Sequence, residues 1–267
     1  MLRTNLNDNF DENIEDFLIF NDIIVMTGDF KFIYIKYKNC VYFKKINYKI
    51  TSLSSDGKNN ILFVGFENGL FSAIKIFSSP EGIEVEELYN LNLEKNIKSI
   101  TFSPQTEKSY ILSDDDVYIY GKEIQMIENI KNFSKIYAFQ NLLYLCDNEK
   151  ILILDIYNLN IIKIINDNLL FRIKDFKLDS QNLYLCFDRI VKVYHLEDFS
   201  FNYIIYINEN ISCFDIYKVS IKSLTFIGTT DGKVKIFERN FKIEDKKVEV
   251  KEIKKILNLY VITKCRI

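Results

Sequence analysis

The feature that most constrains this fold is a segment that recurs about every 40 residues along the chain. Each copy has an apolar strand, a polar turn that contains Asp or Asn, and a second apolar strand, and the clearest copy is FIGTTDGKVKIF at 226–237. A fixed period of this size indicates an array of one supersecondary unit. The aligned turn residues lie 34 to 46 residues apart and are Asp29, Asn68, Asp114, Asn148, Asp188 and Asp231.

The apolar segments are short and rich in β-branched and aromatic residues, and they lack the three-and-four spacing of an amphipathic helix. Each unit is therefore predicted to contain four antiparallel strands, with the Asp or Asn turn between the second and the third. Because a small sheet with two apolar faces must stack on its neighbours, we predict one all-β domain, spanning residues 1–267, in which the sheets form a closed ring. The third unit has predicted strands at 97–102, 110–113, 117–120 and 123–127.

The number of units depends on the chain ends. Six hairpins are visible, and residues 1–16 and 248–267 remain outside them. Together these two segments have roughly the length of one more unit. The favoured prediction is a ring of seven units whose last sheet is closed by strands from both chain ends, with 248–254 and 258–265 as the C-terminal share. The alternative is six units with additional terminal segments.

Parts of the repeat resemble the WD-repeat family of β-propellers. GTTDGKVKIFE at 228–238 resembles the end of one repeat of that family, and ITFSP at 100–104 and TSLSSDGKN at 51–59 resemble its inner strand and the turn that follows. The Trp-Asp pair is absent, since the chain has no tryptophan, and no Gly-His pair occurs. The resemblance implies a divergent, WD-repeat-like propeller without the family's usual hydrogen-bond chain of Asp, His, Ser or Thr, and Trp.

Rare residue types limit the chemistry that this chain can perform. It contains one histidine, His195, and eight glycines. That leaves little material for proton transfer, for histidine-based metal sites or for glycine-rich phosphate loops. We therefore predict that the protein is not an enzyme and has no catalytic residues, metal site, cofactor or small-molecule substrate.

One segment departs from the nearly neutral charge of the chain, which is -2 overall. KFIYIKYKNCVYFKKINYK at 31–49 has six lysines, several aromatic residues and no acid. If it forms two outer strands, alternation would place several lysines on one face beside aromatic rings that can stack on bases. The alternative is a solvated outer face in a lysine-rich chain. The candidate patch for RNA or an acidic partner comprises Lys31, Lys36, Lys38, Lys44, Lys45, Lys49, Tyr37 and Tyr42.

Cysteine usage and the N-terminal sequence indicate the cellular compartment in which the protein is expected. The five cysteines are an odd number without a C-x-x-C pair, which fits a reducing compartment. The first residues carry acids instead of the basic-then-apolar order of a secretion signal, and no apolar run approaches the about 18 residues needed to span a bilayer. We expect an intracellular protein, in the cytoplasm or nucleus, that is not secreted and has no membrane partner.

The WD-repeat resemblance also implies a function. Such propellers act as rigid, non-enzymatic scaffolds or accessory subunits that display their ring faces, channel mouth and blade edges to one or more proteins. The alternative rests on the lysine-rich segment and is an RNA-associated subunit, either a ribosome-assembly factor or the non-catalytic partner of a tRNA-modifying enzyme. Fold alone does not choose between these functions.

Overall fold

The computed structural model describes residues 14–28, 32–114, 116–127, 130–166, 172–219, 222–239, 241–247, 252–257 and 260–264. Within these ranges, 26 β-strands form six four-stranded antiparallel sheets and one two-stranded sheet. No helix in the described ranges has the length and apolar content needed to cross a bilayer. The all-β prediction is confirmed.

The four-stranded sheets follow one another along the chain, and neighbouring strands within each sheet are consecutive in sequence. The first two sheets contain β1 (Ile14–Phe20), β2 (Ile23–Gly28), β3 (Phe32–Tyr37), β4 (Cys40–Lys45), β5 (Ile50–Ser55), β6 (Ile61–Phe66), β7 (Leu70–Ser79) and β8 (Gly82–Asn92). The next two contain β9 (Ile97–Ser103), β10 (Lys108–Ser113), β11 (Val117–Tyr120), β12 (Ile124–Ile127), β13 (Lys135–Phe139), β14 (Leu142–Cys146), β15 (Lys150–Asp155) and β16 (Ile161–Asn166). The remaining strands are β17 (Asp175–Leu178), β18 (Asn182–Cys186), β19 (Ile190–His195), β20 (Phe201–Tyr206), β21 (Ile211–Val219), β22 (Lys222–Thr229), β23 (Lys233–Glu238), β24 (Phe241–Lys247), β25 (Glu252–Leu257) and β26 (Tyr260–Lys264).

The hydrophobic core lies between neighbouring sheets. Leu143 and Leu145 of β14 pack with Leu112 of the third sheet. The alternate residues of the same strand, Tyr144 and Cys146, pack towards the fifth sheet. Because successive side chains of a strand point to opposite faces, a middle strand covered on both sides is apolar throughout. Each sheet is therefore stabilised by the sheets on either side of it, as the repeat predicted.

The predicted polar turns are confirmed wherever the structure describes them. Five of the six aligned residues lie in turns between a second and a third strand; Asp29 lies outside the described residues. In the second sheet, Gly69 follows the turn residue with a φ of +86°. Its carbonyl accepts the Leu93 amide at 2.9 Å. The turn thereby fixes the start of the connection to the next sheet.

The described residues give six complete units, which is the alternative count, together with a two-stranded unit. β25 lies close to β21 of the sixth sheet and to β1 of the first, so the two-stranded sheet lies between them in the ring. The described part of β25 begins at Glu252, inside the expected strand at 248–254, and Asp16 lies within β1 instead of preceding the first strand. Completion of a seventh unit by the N-terminal segment stays a prediction, because residues 1–13 and 248–251 lie outside the described ranges.

Candidate interaction sites

A central channel of about 720 Å³ is enclosed by the innermost strands of the six sheets. Its lining is uneven. The part formed by β5 and β9 carries hydroxyl groups and one charge, Lys98 on β9, whereas the part formed by β13, β17 and β21 carries several charges. The charged side chains in that part are Lys135, Asp175, Lys177 and Asp215.

The charged groups of the channel pair with one another across neighbouring sheets. Lys135 Nζ forms an ion pair with Asp175 Oδ1, and Lys177 Nζ lies 3.8 Å from Asp215 Oδ1. Burial alone would lower the pKa of Lys177, but the carboxylates of Asp175 and Asp215 outweigh it and raise that pKa. Lys177 is therefore held as a cation by its partners, and these charges connect the sheets.

The hydroxyl groups of the channel make the same kind of connection. Ser52 Oγ on β5 accepts the Ile100 amide of β9 at 2.9 Å. Thr101 Oγ1 on β9 accepts the Ala138 amide of β13 at 3.0 Å. Each bond joins the inner strand of one sheet to that of the next, and it satisfies a buried backbone donor. Channel side chains thus connect consecutive sheets, although the chain has no tryptophan to contribute to such bonds.

A second cavity is a groove of about 850 Å³ between the second and third sheets. It opens at the face of the ring that carries the turns between first and second strands and between third and fourth strands. Strands β7 and β8 contain 10 and 11 residues, whereas β11 and β12 contain 4 each. The short outer hairpin of the third sheet therefore leaves one end of the long hairpin of the second sheet uncovered.

Aromatic side chains form both walls of this groove. Tyr89 and Tyr120 stack across it with ring centroids 4.3 Å apart. Phe63 and Phe102 stack across it at 5.5 Å. Burial raises the pKa of Tyr89, and the neighbouring Tyr120 adds to this, so the phenol stays neutral. The walls therefore offer an uncharged aromatic surface.

The rings of the two walls are packed together by the buried ring of Phe71, whose centroid lies 6.0 Å from those of Phe63 and Tyr89 and 5.8 Å from that of Tyr120. A small residue lies in the middle of each wall. On the second sheet, Ala73 is the cross-strand partner of both Phe63 and Tyr89. On the third sheet, Ser109 is the cross-strand partner of both Phe102 and Tyr120. The rim carries both signs of charge and comprises Lys58, Glu107, Lys108, Lys122 and Glu123. The groove suits an apolar or aromatic side chain that is flanked by polar groups.

The fold resembles a solved structure described as "Crystal structure of WD40 beta propeller domain of Doa1". The TM-score is 0.70, the match covers 92% of this chain and 86% of that chain, and the two sequences are 11% identical. This chain has the β-propeller fold of that structure. No protein-family model matches the sequence, and no curated protein matches it. The WD-repeat resemblance is confirmed at the level of the fold, and the four-stranded sheets are its blades.

The predicted lysine patch lies on the outer hairpin of the first blade of this propeller, and the strand register divides it between two faces. Lys36 pairs with Val41, and Lys45 pairs with Phe32, on one face. Lys44 lies on the opposite face. Tyr37 and Tyr42 lie on that same opposite face, where they pack against the hydrophobic core between the first and second blades.

The remaining members of the patch lie at the ends of these strands. Lys38 lies in the turn between β3 and β4, with its ammonium 5.1 Å from the centroid of the Tyr37 ring. Lys49 follows β4, and Lys31 lies outside the described residues. The hairpin therefore brings Lys36 and Lys45 to one face and separates them from Lys44.

An acidic strand of the same molecule lies beside this hairpin. β8, the outer strand of the second blade, is close to β4 and carries Glu84, Glu86 and Glu87. Lys44 donates a hydrogen bond to Glu87, which together with the Asn90 amide lowers the pKa of that carboxyl. Part of the lysine charge thus pairs with the neighbouring blade. Binding of RNA or an acidic partner by the other lysines stays a prediction.

Histidine and cysteine are two residue types that often act in catalysis. His195 is exposed at the end of β19. Burial raises the thiol pKa values of Cys146 and Cys213 to about 12, so both thiols are protonated at neutral pH. Within the described part of the chain, no group of three or more His, Cys, Asp or Glu residues is placed to hold a metal ion.

Proposed function

We propose that this propeller is a non-catalytic interaction module that binds partner proteins as a scaffold or accessory subunit of a multi-protein complex. The aromatic groove between the second and third blades carries the proposal. Charges in the channel pair with one another and stabilise the ring, whereas the groove leaves the half-buried rings of Tyr89, Phe102 and Tyr120 partly accessible to another molecule. Burial of one large apolar side chain there contributes about 1.5–3 kcal/mol to binding.

The proposed occupant is an extended peptide segment of a partner protein with one aromatic or long aliphatic anchor. Two observations support it. Tyrosine and phenylalanine walls are typical of the residues that dominate binding energy at protein interfaces. The rim carries Lys58 and Lys122 together with Glu107 and Glu123, which suits a polar backbone and polar side chains on both sides of the anchor.

Other observations support a non-catalytic, intracellular protein. Lys177 is held as a cation between carboxylates, and a charged ammonium is not a nucleophile. The described cysteines are free thiols, which fits a reducing compartment; they are Cys40, Cys146, Cys186 and Cys213. Burial keeps the thiol pKa of Cys186 above its ordinary value as well.

The proposal is tested with Tyr120→Ala, which removes half of the stacked pair. Tyr118→Ala is the matched control because Tyr118 is on the same face of the same strand, is half-buried as well, and does not line the groove. Proteins that bind the full chain are identified by mass spectrometry, and the affinity of each purified partner is then measured. We expect Tyr120→Ala to weaken binding at least tenfold, and Tyr118→Ala to weaken it much less.

Thermal unfolding of both variants verifies that they are folded. The groove is not the contact site if a partner binds Tyr120→Ala and the native chain equally well. The scaffold proposal itself fails if no protein binds the native chain specifically.

A further inference from the structure

Among the six four-stranded blades that the structure describes, three adjacent blades have an apolar outermost strand and the other three have a charged one. The outermost strands of the third, fourth and fifth blades are β12 (IQMI), β16 (IIKIIN) and β20 (FNYIIY). These three strands contain one charged residue, Lys163. By contrast, β4 ends in two lysines, β8 contains three glutamates and β24 is mostly charged. We define these three outer strands as the apolar rim.

Large apolar side chains are exposed along the apolar rim. On β16, Ile161, Ile162 and Ile164 are 62%, 48% and 45% exposed. Phe201 and Tyr206, at the two ends of β20, are 54% and 73% exposed. Contiguous exposed apolar side chains are typical of a binding surface, and an edge strand also presents backbone groups that can pair with another strand.

We infer that the apolar rim binds a second copy of this chain, with β16 of one protomer beside β16 of its partner. This inference is independent of the proposed groove. A partner of the apolar rim must itself offer an edge that is nearly free of charge, because charges placed against it would lose their water. The apolar rim of an identical molecule meets that requirement, whereas the outermost strands β4, β8 and β24 do not.

Symmetry favours a closed pair over an open chain of molecules. When the same surface is used by both copies, a two-fold axis satisfies both at once and leaves no second apolar rim exposed. Antiparallel pairing centred between Lys163 and Ile164 places each lysine opposite an isoleucine and not opposite the other lysine. Like charges are thus kept apart, which is favourable in a paired sheet.

The test is Ile164→Lys, which places a charge in the middle of β16. Ile243→Lys is the matched control, since Ile243 is 56% exposed on β24, the outermost strand of the sixth blade. Sedimentation of the purified full chain over a range of concentrations measures the dimer dissociation constant. We expect the native chain and Ile243→Lys to form the same dimer, and Ile164→Lys to weaken it at least tenfold.

Hydrogen exchange provides a second measurement, because it distinguishes loss of the dimer from loss of folding. Amides of β16 should exchange more slowly as the native dimer forms, while Ile164→Lys should exchange like the diluted monomer with an unchanged core. A native chain that is monomeric at every concentration overturns the inference. So does a dimer that both variants weaken equally. Loss of a different protein partner in Ile164→Lys, with a monomeric native chain, would assign the apolar rim to that partner instead.

Discussion

Replacement of Tyr184 by phenylalanine tests how one buried polar contact stabilises the propeller. Tyr184 lies on the second strand of the fifth blade, is 1% exposed, and donates its hydroxyl hydrogen to Asp179 Oδ2 at 2.8 Å. Asp179 also accepts the amides of Gln181 and Asn182, both at 2.7 Å. The Tyr184 hydroxyl also hydrogen-bonds that of Tyr203. The substitution removes the hydroxyl while the ring keeps its packing, so the measured change reports the loss of both bonds, and its dependence on pH isolates the part due to Asp179.

The expected size follows from the charge of the acceptor. A hydrogen bond to a charged group contributes about 1.5–3 kcal/mol. Asp179 keeps its two amide donors in the variant, so its carboxylate stays partly satisfied and the lower half of this range applies. We expect the free energy of unfolding to fall by about 2 kcal/mol, and the unfolding temperature to fall by about 4–6 °C.

The cost should depend on pH in a defined direction. Burial alone would raise the pKa of Asp179, but hydrogen bonds from Gln181, Ser223, Tyr184 and Asn182 outweigh it and lower that pKa. A carboxyl whose pKa is lowered by folding stabilises above its unfolded pKa, and this contribution is lost as the pH falls through the folded value. The effect of Tyr184→Phe should be full at neutral pH and should shrink below the ordinary value of 3.8.

Urea unfolding followed by circular dichroism, at neutral and at acid pH, measures both quantities. Tyr144→Phe is the control, because Tyr144 occupies the equivalent position of the fourth blade, is also 1% exposed, and has its pKa raised by burial without a carboxylate. It should cost less than about 1 kcal/mol. Equal costs for the two substitutions, or a cost of Tyr184→Phe that is the same at both pH values, would refute the assigned role of Asp179.

Two further predictions concern a turn and the lysine-rich hairpin. Gly69→Ala should lower the free energy of unfolding by more than about 1 kcal/mol, because φ is +86° and an added Cβ would lie 2.7 Å from Lys95 N. Thermal unfolding tests this, with Gly82→Ala as the control, since nothing lies within 4 Å of a Cβ there. If the alternative RNA function is correct, salt-dependent RNA binding should be lost when four lysines are changed to Glu. Unchanged binding in a filter assay would indicate that the hairpin is only a solvated outer face. The four are Lys36, Lys38, Lys44 and Lys45. A variant that keeps Lys44 controls for loss of its pair with Glu87.

The repeating part of the fold could be predicted from sequence because it depends on local patterns. A polar turn residue such as Asn68 or Asp188 between two apolar strands requires no knowledge of the rest of the chain. The Tyr-Leu-Cys segments of β14 and β18 occupy equivalent positions because both strands are covered on two sides. Packing imposes the same requirement on every middle strand, so the period of the sequence matches the period of the structure.

The candidate sites were harder to predict because they depend on differences between neighbouring blades. The groove exists because the hairpin of β7 and β8 continues to Ser79 and Gly82, whereas the shorter hairpin of the third blade turns after Tyr120. The division of the lysine patch depends on the register between β3 and β4. The pair of Lys44 and Glu87 joins residues 43 positions apart, a contact that no local pattern encodes.

The blades therefore have two parts with different constraints. Inner and middle strands contact the channel and both neighbouring blades, so almost any change there alters stability. The outermost strands have one free edge, and they are also where the blades differ most: β8 is long and acidic, β12 is short, and β16 is apolar. Substitutions in the outer hairpins should accordingly alter binding while the ring stays folded, and the variants Tyr120→Ala and Ile164→Lys were chosen from those hairpins for this reason.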